Sequence, residues 1–271
     1  MTPVQSTSTP PSACAPRNPV IDMQDVAFAS LRDPQTVVAE QVNWRVEAGD
    51  FWCVAGLHGA GKSDLLMLAG GVMAPLHGAY EFLGQAMPLF SEEQLAHRLK
   101  IGLVFEGGRL FSHLTVAENI MLPLQYHRNL SAAEAAAAVE DLLELMDLGP
   151  CVHLLPGALG RNWARRAALA RALVLRPEVL LLDAPLAGLD LRQQNWWFQF
   201  LNQLSHGHPG LGGRPVTLVV TTANLHDWQG HAHQFALLER RRFYPLGDWA
   251  AVERSEHPLV RELRTPPATN I

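Results

Sequence analysis

The stretch Gly56-Leu57-His58-Gly59-Ala60-Gly61-Lys62-Ser63 matches the pattern G-x-x-x-x-G-K-[ST] and directly follows the apolar run Phe51-Trp52-Cys53-Val54-Ala55. This order predicts a buried strand, a glycine-rich loop and the start of a helix. The alternative, a glycine-rich turn without a ligand, requires no such strand before it. Glycines let the loop fold so tightly that successive N–H groups point inward, where the helix dipole adds to their positive potential. We therefore expect a phosphate site, with Lys62 at the terminal phosphates and Ser63 on Mg²⁺.

The composition argues against several classes of protein. The chain has 271 residues, of which 48% are hydrophobic and 17% charged, as is typical of a globular protein. No run approaches the ~18 apolar residues of a membrane-spanning helix. The formal net charge of −5 argues against nucleic acid as the main ligand. The three cysteines are far apart and form no C-x-x-C pair, which indicates a reducing compartment and no structural metal site.

Two kinds of hydrophobic pattern predict strands. Val20–Phe28 and Val42–Val46 alternate between apolar and polar residues and predict an antiparallel opening sheet. Val179–Leu182 and Val216–Val220 are continuously apolar, as in a parallel sheet that is buried on both faces. Strands and helices recur in alternation along the chain, so the fold class is α/β.

The segments between these strands have helical patterns. A helix is predicted from Lys62 to about Met73, and a mainly helical block extends from Ser91 to about Gly149. Ser91 can cap the start of this block, and an Ala-rich run within it begins at Ser131. A strand at Ile101–Phe105 lies inside that block. A further helix is predicted over Arg161–Val174, and we expect its arginines to form a solvated face, namely Arg165, Arg166 and Arg171.

Three segments together resemble the nucleotide-binding domain of ABC transporters: Gly56–Ser63, Ala168–Leu173 and Leu181–Asp190. The resemblance covers about residues 20–250, with the motifs in the family's order. It implies a P-loop NTPase (RecA-like) core of ABC type, with an antiparallel β subdomain and a helical subdomain inserted at about 91–160. The implied domain spans 20–255, between a disordered N-terminal tail at 1–19 and a C-terminal tail at 256–271. The implied cofactors are ATP and Mg²⁺.

A narrower resemblance lies in Ala164–Ala172, Phe105–Phe111 and Val116–Ile120, which look like the ATPase subunit of MCE-associated, Mla-type lipid transporters. It implies a place beside ABC permease subunits and an MCE-domain lipid-binding protein, in transport of phospholipid or related lipid across the bacterial envelope. The ATPase subunits of that family act in pairs, so a homodimer and a heterodimer with another ATPase subunit both stay open. The implied location is cytoplasmic and peripheral, at the inner membrane through the permease.

The resemblance also assigns the site residues. The nucleotide-binding residues are those of the loop and the one that follows it, Asp64, which stands where the family usually has a hydroxyl. The implied metal ligands are Ser63, Asp183 and, in place of the family's Gln, Glu106. The family's base-stacking aromatic falls at Ser30, so stacking on adenine is either weak or provided by Phe28.

The catalytic positions of the family are changed. Ala184 stands at the glutamate that activates the attacking water, and a methyl group accepts no proton. Thr222 stands at the histidine that contacts the γ-phosphate, although His226, four residues later, is open as a substitute. Neither catalytic residue of the family is therefore intact.

The signature loop is changed as well. The family's Leu-Ser-Gly-Gly-Gln aligns with Leu159-Gly160-Arg161-Asn162-Trp163, in which Arg161 and Trp163 are bulky. In the family's dimer this loop approaches the γ-phosphate of the other subunit, which requires small residues. The change is either the decay of an unused site or an arginine finger built on Arg161. Asp190 is retained in the loop that contacts the partner in the dimer.

Three functions are compatible with this pattern. The first is an ATP-binding subunit of a lipid ABC transporter with weak or no hydrolysis. The second is a working ATPase with a non-standard base, although loss of a positioned base typically costs ~10²–10⁴ in rate. The third is a scaffold subunit that uses no nucleotide, and the intact phosphate-site residues argue against it: Gly59, Gly61, Lys62, Ser63 and Asp183.

Overall fold

The computed structural model describes residues 19–87 and 94–265. One sheet is antiparallel throughout, with the strand order β2-β1-β4-β5. Its strands are β1 (Pro19–Ala29), β2 (Val37–Glu47), β4 (His77–Phe82) and β5 (Gln85–Ala86). The predicted opening sheet is therefore confirmed, and its first strands are longer than the sequence pattern suggested.

The other sheet has the strand order β10-β9-β3-β8-β7-β6, and it is parallel from β9 to β6. Its strands are β3 (Phe51–Ala55), β6 (Ile101–Val104), β7 (Val179–Leu182), β8 (Thr217–Thr222), β9 (Gln234–Glu239) and β10 (Arg242–Gly247). The α/β class and the buried parallel sheet are confirmed. The strand that the sequence placed inside a helical block is β6, which pairs with β7 and thus belongs to this central sheet.

Helices cover or join these strands. They are α1 (Lys62–Ala69), α2 (Leu95–Arg98), α3 (Val116–Arg128), α4 (Ala132–Leu145), α5 (Arg161–Leu173), α6 (Leu191–His206), α7 (Trp249–Arg254) and α8 (Pro258–Leu263). The first helix ends earlier than predicted because Gly70 and Gly71 follow it, and Gly71 has a φ of 66°. Ser131, where the Ala-rich run begins, caps α4 together with Glu134, whereas the cap predicted at Ser91 lies outside the described residues. No helix in the described part of the chain is long and apolar enough to cross a membrane.

The central sheet separates two hydrophobic clusters. Side chains alternate across a strand, so in β3 Trp52 and Val54 face the antiparallel sheet and α1, whereas Phe51 and Cys53 face α5 and α6. This arrangement places the loop after β3 at the carboxyl edge of the parallel strands, where ligands bind in open α/β sheets.

The chain after residue 255 is packed on the domain. Leu259, Val260 and Leu263 of α8 are buried, and the Leu225 N–H donates to the carbonyl of Leu263 over 2.8 Å. The segment that the sequence assigned to a C-terminal tail from residue 256 thus contains α8, which packs on the domain. Residues 1–18 and 266–271 lie outside the described residues.

The prediction of a solvated arginine face on α5 is wrong. Only 2% of the surface of Arg165 and 7% of that of Arg166 is exposed. Arg166 donates to Asp147 over 2.8 Å, and Arg171 donates to the carbonyls of Gly108 (3.2 Å) and Arg109 (3.1 Å). The guanidinium groups of Arg166 and Arg171 are therefore bound by acceptors of the chain itself and do not form a solvated face.

Candidate nucleotide-binding site

The loop between β3 and α1 has a backbone that only glycine tolerates. Gly59 and Gly61 have φ values of 80° and 92°, in the left-handed region. A Cβ on Gly61 would lie 2.0 Å from Cγ1 of Val38, and one on Gly56 would lie 2.6 Å from the carbonyl oxygen of Leu238. The glycines are therefore needed for the tight loop and for its close packing on the strands beside it.

Lys62 lies over this loop. Its Nζ donates to the carbonyl oxygens of Gly56 (2.7 Å) and Leu57 (2.8 Å). Burial lowers the pKa of the Lys62 ammonium, and the charges of Asp183 and Glu106 oppose that shift. The cation is thus held at the mouth of the phosphate loop with carboxylates nearby.

The hydroxyl of Ser63, in the first turn of α1, contacts the carboxylate of Asp183, which directly follows β7. Ser63 Oγ donates to Oδ2 of Asp183 over 2.6 Å, and Thr221 Oγ1 donates to Oδ1 over 2.8 Å. The same Thr221 hydroxyl accepts the N–H of Ala184 at 2.9 Å. Oxygen donors of this kind suit Mg²⁺, so Ser63 and Asp183 fit the metal role that the resemblance implies.

Sequence reasoning overlooked Thr221, which orients Asp183. The signal for it was its place at the end of β8, because β8 pairs in parallel with β7 and Asp183 directly follows β7. The carboxyl ends of adjacent parallel strands meet at one edge of the sheet.

A cavity of about 1020 Å³ opens at this edge. The structure brings most of the predicted site residues to its wall: His58, Gly59, Gly61, Lys62, Ser63, Asp64, Glu106, Arg161, Asp183, Ala184 and Thr222. The wall also includes residues that were not predicted as site residues, among them Arg165, Thr221 and Asp227. The other loop residues, Gly56, Leu57 and Ala60, are not among the described residues that line the cavity.

Ser30, at the position of the family's base-stacking aromatic, lines the cavity together with Arg32. Phe28 is completely buried in the core, so stacking of Phe28 on adenine is excluded. Asp64 accepts the N–H of Leu31 at 2.9 Å. This carboxylate therefore ties α1 to the segment after β1.

The two altered catalytic positions have particular local structures. Ala184 has a φ of 43°, a left-handed conformation that is uncommon for a residue with a side chain. The Thr222 hydroxyl donates to the carbonyl of Asn224 and accepts its N–H, both at 3.0 Å. His226 is not among the described residues that line the cavity, whereas its neighbour Asp227 is.

The residues at the signature position have different surroundings. Arg161 lines the cavity of its own chain and lies close to Gly188, because a Cβ built on Gly188 would be 2.1 Å from Nη1 of Arg161. Asn162 is buried and accepts from Trp197 Nε1 at 3.2 Å. The ring of Trp163 contacts the guanidinium of Arg166, which lies 5.1 Å from the ring centroid. Trp163 is not among the described residues that line the cavity.

The other predicted dimer residue has a local role as well. Asp190 begins α6, where its carboxylate accepts the N–H of Gln193 at 2.9 Å and the Gln193 side chain accepts the N–H of Asp190. This reciprocal capping box stabilises the helix start without any partner subunit.

Comparisons with known proteins agree with this geometry. The family model described as ABC transporter matches residues 39–187. The chain is 30% identical over 244 residues to the intermembrane phospholipid transport system ATP-binding protein MlaF of Escherichia coli (strain K12), covering 90% of this chain and 87% of that protein. It is 32% identical over 222 residues to the spermidine/putrescine import ATP-binding protein PotA of Trichodesmium erythraeum, covering 82% of this chain and 55% of that protein.

The fold is shared with a solved structure. A dimeric ATP-binding cassette in a post-hydrolysis state, bound to ADP and Pi, superposes with a TM-score of 0.72 and 25% identity, covering 83% of this chain and 98% of that one. The family model, the curated relatives and the solved structure all indicate the same family. The chain belongs to the ABC transporter ATP-binding family.

Proposed function

We propose that this chain is the ATP-binding subunit of a bacterial ABC transporter for phospholipid or related lipid, and that it binds Mg·ATP with weak or no hydrolysis. The observation that carries the proposal is one cavity whose wall combines an intact phosphate loop with a methyl group at the position of the base. Lys62, Ser63 and Asp183 supply the phosphate and metal contacts, and Ala184 supplies no proton acceptor. Binding and turnover are therefore separable in this site.

The lipid assignment is supported by the relatives. The name of the Escherichia coli relative includes intermembrane phospholipid transport, and its alignment covers most of both chains. The polyamine-import relative has a similar identity but aligns over only about half of its own length. The segments Ala164–Ala172 and Phe105–Phe111 resemble the Mla-type subunit and therefore favour a lipid as the transported substrate.

The proposed partners are ABC permease subunits, a second ATPase subunit and an MCE-domain protein, which would hold this chain at the cytoplasmic face of the inner membrane. An apolar surface at the start of α3 supports a permease contact. Phe111 is 49% exposed, Leu154 is 43% exposed and Leu155 is 49% exposed. The Val116 N–H donates to the carbonyl of Leu154 over 3.0 Å, so the segments that carry these side chains are adjacent.

Mg·ATP is expected to raise the melting temperature of the wild-type chain, and Lys62→Ala is expected to abolish the increase. At a hundredfold excess over Kd, binding to the folded state alone adds about 2.7 kcal/mol to the free energy of unfolding. For a domain of this size that corresponds to about 5–11 °C. The measurement is a thermal melt with and without millimolar Mg·ATP.

Mg²⁺ alone and ATP with EDTA are the controls for that melt. A wild-type chain that does not shift, or a shift of equal size in Lys62→Ala, would contradict nucleotide binding at this loop. The scaffold function without nucleotide would then be favoured.

Phe111→Asp is expected to reduce co-purification with a membrane permease while leaving the melting temperature of the chain nearly unchanged. Asn119 holds the backbone of Phe111 by accepting its N–H at 2.8 Å and donating to its carbonyl at 3.1 Å. The turn therefore depends on Asn119, whereas the exposed Phe111 ring is available to a partner. A charge in that apolar surface costs binding energy because it must be desolvated at the interface.

Tyr126→Asp is the matched control, because this aromatic residue is 75% exposed near the other end of α3. Permease binding and melting temperature are measured for both variants. An equal loss of folding and binding in Phe111→Asp, or an equal loss of binding in the control, would argue against a contact at Phe111.

A further inference from the structure

Asp227 lies in the cavity that contains the phosphate loop, although sequence reasoning did not assign it to the site. It is in the short helical turn His226–Trp228 that follows β8. The cavity wall includes Asp227 together with Lys62, Ser63 and Asp183. The cavity wall has no carboxylate at position 184, where the family has a glutamate, but it has one at Asp227.

The position of this carboxylate is fixed by its neighbours. Asn224 Nδ2 donates to Oδ1 of Asp227 over 2.9 Å, and Asn224 Oδ1 accepts the N–H of His226 at 3.0 Å. Thr222 holds the backbone of Asn224, and the next residue, Leu225, is completely buried. The residue at the family's histidine position thus helps to orient Asp227 through Asn224.

One oxygen of Asp227 stays available. Among the described residues no hydrogen bond reaches its Oδ2, whereas both carboxylate oxygens of Asp183 accept hydrogen bonds. Asp64 Oδ1 accepts the N–H of Leu31, so that carboxylate lies beside the segment after β1, and Glu106 is exposed on a loop where no hydrogen bond from a described residue holds its carboxylate. Asp227 combines a fixed position and a free oxygen with a place in the turn after β8, where Asn224 links it to Thr222.

The surroundings of Asp227 suit a proton acceptor. Burial raises the pKa of Asp227, while the adjacent His226 and the hydrogen bond from Asn224 act in the opposite direction. Burial also raises the pKa of the Cys53 thiol, and the charge of Asp227 adds to that shift, which places the carboxylate near β3. A carboxylate whose pKa is raised is a better general base near neutral pH.

We infer that Asp227 is the general base of the slow ATP hydrolysis in this chain, in place of the glutamate that is replaced by Ala184. In this step the oxygen of a water molecule forms a bond to the γ-phosphorus, and the bond from that phosphorus to the β–γ bridging oxygen breaks. The proton of the water passes to Oδ2 of Asp227 and leaves to solvent, so the products are ADP and inorganic phosphate. The inference rests on the proposed binding of Mg·ATP.

The test is phosphate release in a single turnover, with the purified chain in excess over Mg·ATP. Asp227→Asn keeps an acceptor for Asn224 but removes the base, and is expected to lower the Lys62-dependent rate by at least about tenfold. The increase in melting temperature with Mg·ATP is expected to persist. Asp141→Asn, on the exposed face of α4, is the matched control and is expected to release phosphate at the wild-type rate.

A second variant distinguishes a base from a structural residue. Asp227→Ala is expected to be as slow as Asp227→Asn, and added formate, a small carboxylate, is expected to restore part of its rate without affecting the wild type. A variant that only disturbs folding would not respond to formate.

Equal release by Asp227→Asn and wild type would overturn the inference, as would a slow Asp227→Ala that formate does not accelerate. A wild-type chain whose release equals that of Lys62→Ala would overturn it too. In that last case an intact Mg·ATP melting shift would leave the proposed binding function standing, whereas loss of the shift would remove both.

Discussion

Ala184→Glu alone is expected to leave steady-state phosphate release within about tenfold of the wild-type rate, whereas a variant that also carries Thr222→His and the family's signature loop is expected to exceed that rate by about 10³-fold or more. Groups that act as a unit in catalysis are strongly non-additive. A positioned base typically contributes ~10²–10⁴, and a donor at the developing charge contributes ~10²–10³. Ala184→Glu alone restores only the base and leaves the donor at the developing charge missing.

The structure around residue 184 gives a second reason. Ala184 has a φ of 43°, a left-handed backbone that fixes the direction in which a side chain at residue 184 leaves the chain. Arg161 lies against Gly188 in the turn that follows, so that turn has no room to shift toward Arg161. A glutamate introduced while Arg161 is present is therefore held in a constrained turn.

The signature variant combines Gly160→Ser, Arg161→Gly, Asn162→Gly and Trp163→Gln. Asn162→Gly removes the acceptor of Trp197 Nε1, which costs about 1 kcal/mol, so each variant is first checked by its melting temperature. Phosphate release is then compared with that of the same variant carrying Lys62→Ala. Turnover of ~1–10³ s⁻¹ from Ala184→Glu alone would contradict the expectation and identify an ATPase that lacks a single residue.

Arg165→Ala is expected to lower the free energy of unfolding by about 3 kcal/mol, and the melting temperature by about 6–12 °C. The Arg165 Nη1 donates to the carbonyls of Pro185 (3.2 Å) and Ala187 (2.6 Å), in the turn between β7 and α6. Loss of the guanidinium leaves these carbonyls without their donor, at about 1–3 kcal/mol for each buried group. The buried side-chain stem loses its packing as well.

Arg192→Ala is the matched control, because Arg192 is exposed in the first turn of α6. Surface substitutions of this kind usually change stability by less than about 0.5 kcal/mol. Urea and thermal unfolding of both variants, without nucleotide, measure the difference. If Arg165→Ala were no less stable than Arg192→Ala, the role assigned to the guanidinium in holding the turn would be wrong.

Local sequence patterns determined the phosphate loop and the class of fold. The glycines at 59 and 61 predicted a cradle because a positive φ excludes most other residues, and the run at 179–182 predicted a buried strand because each of its side chains is apolar. The Ala-rich run that begins at Ser131 predicted a helix there, and the structure has α4 starting with a capping box of Ser131 and Glu134. Such features depend on residues only a few positions apart.

Tertiary structure alone decided which distant residues share the cavity. Helical periodicity placed Arg165 on one face of α5, but the turn at 185–187 that buries this face is about 20 residues away. Thr221 and Asp227 reach the site because β8 lies between β3 and β7 in the central sheet. Strand order is set by how whole elements pack on one another, and periodicity within one segment contains no information about that packing.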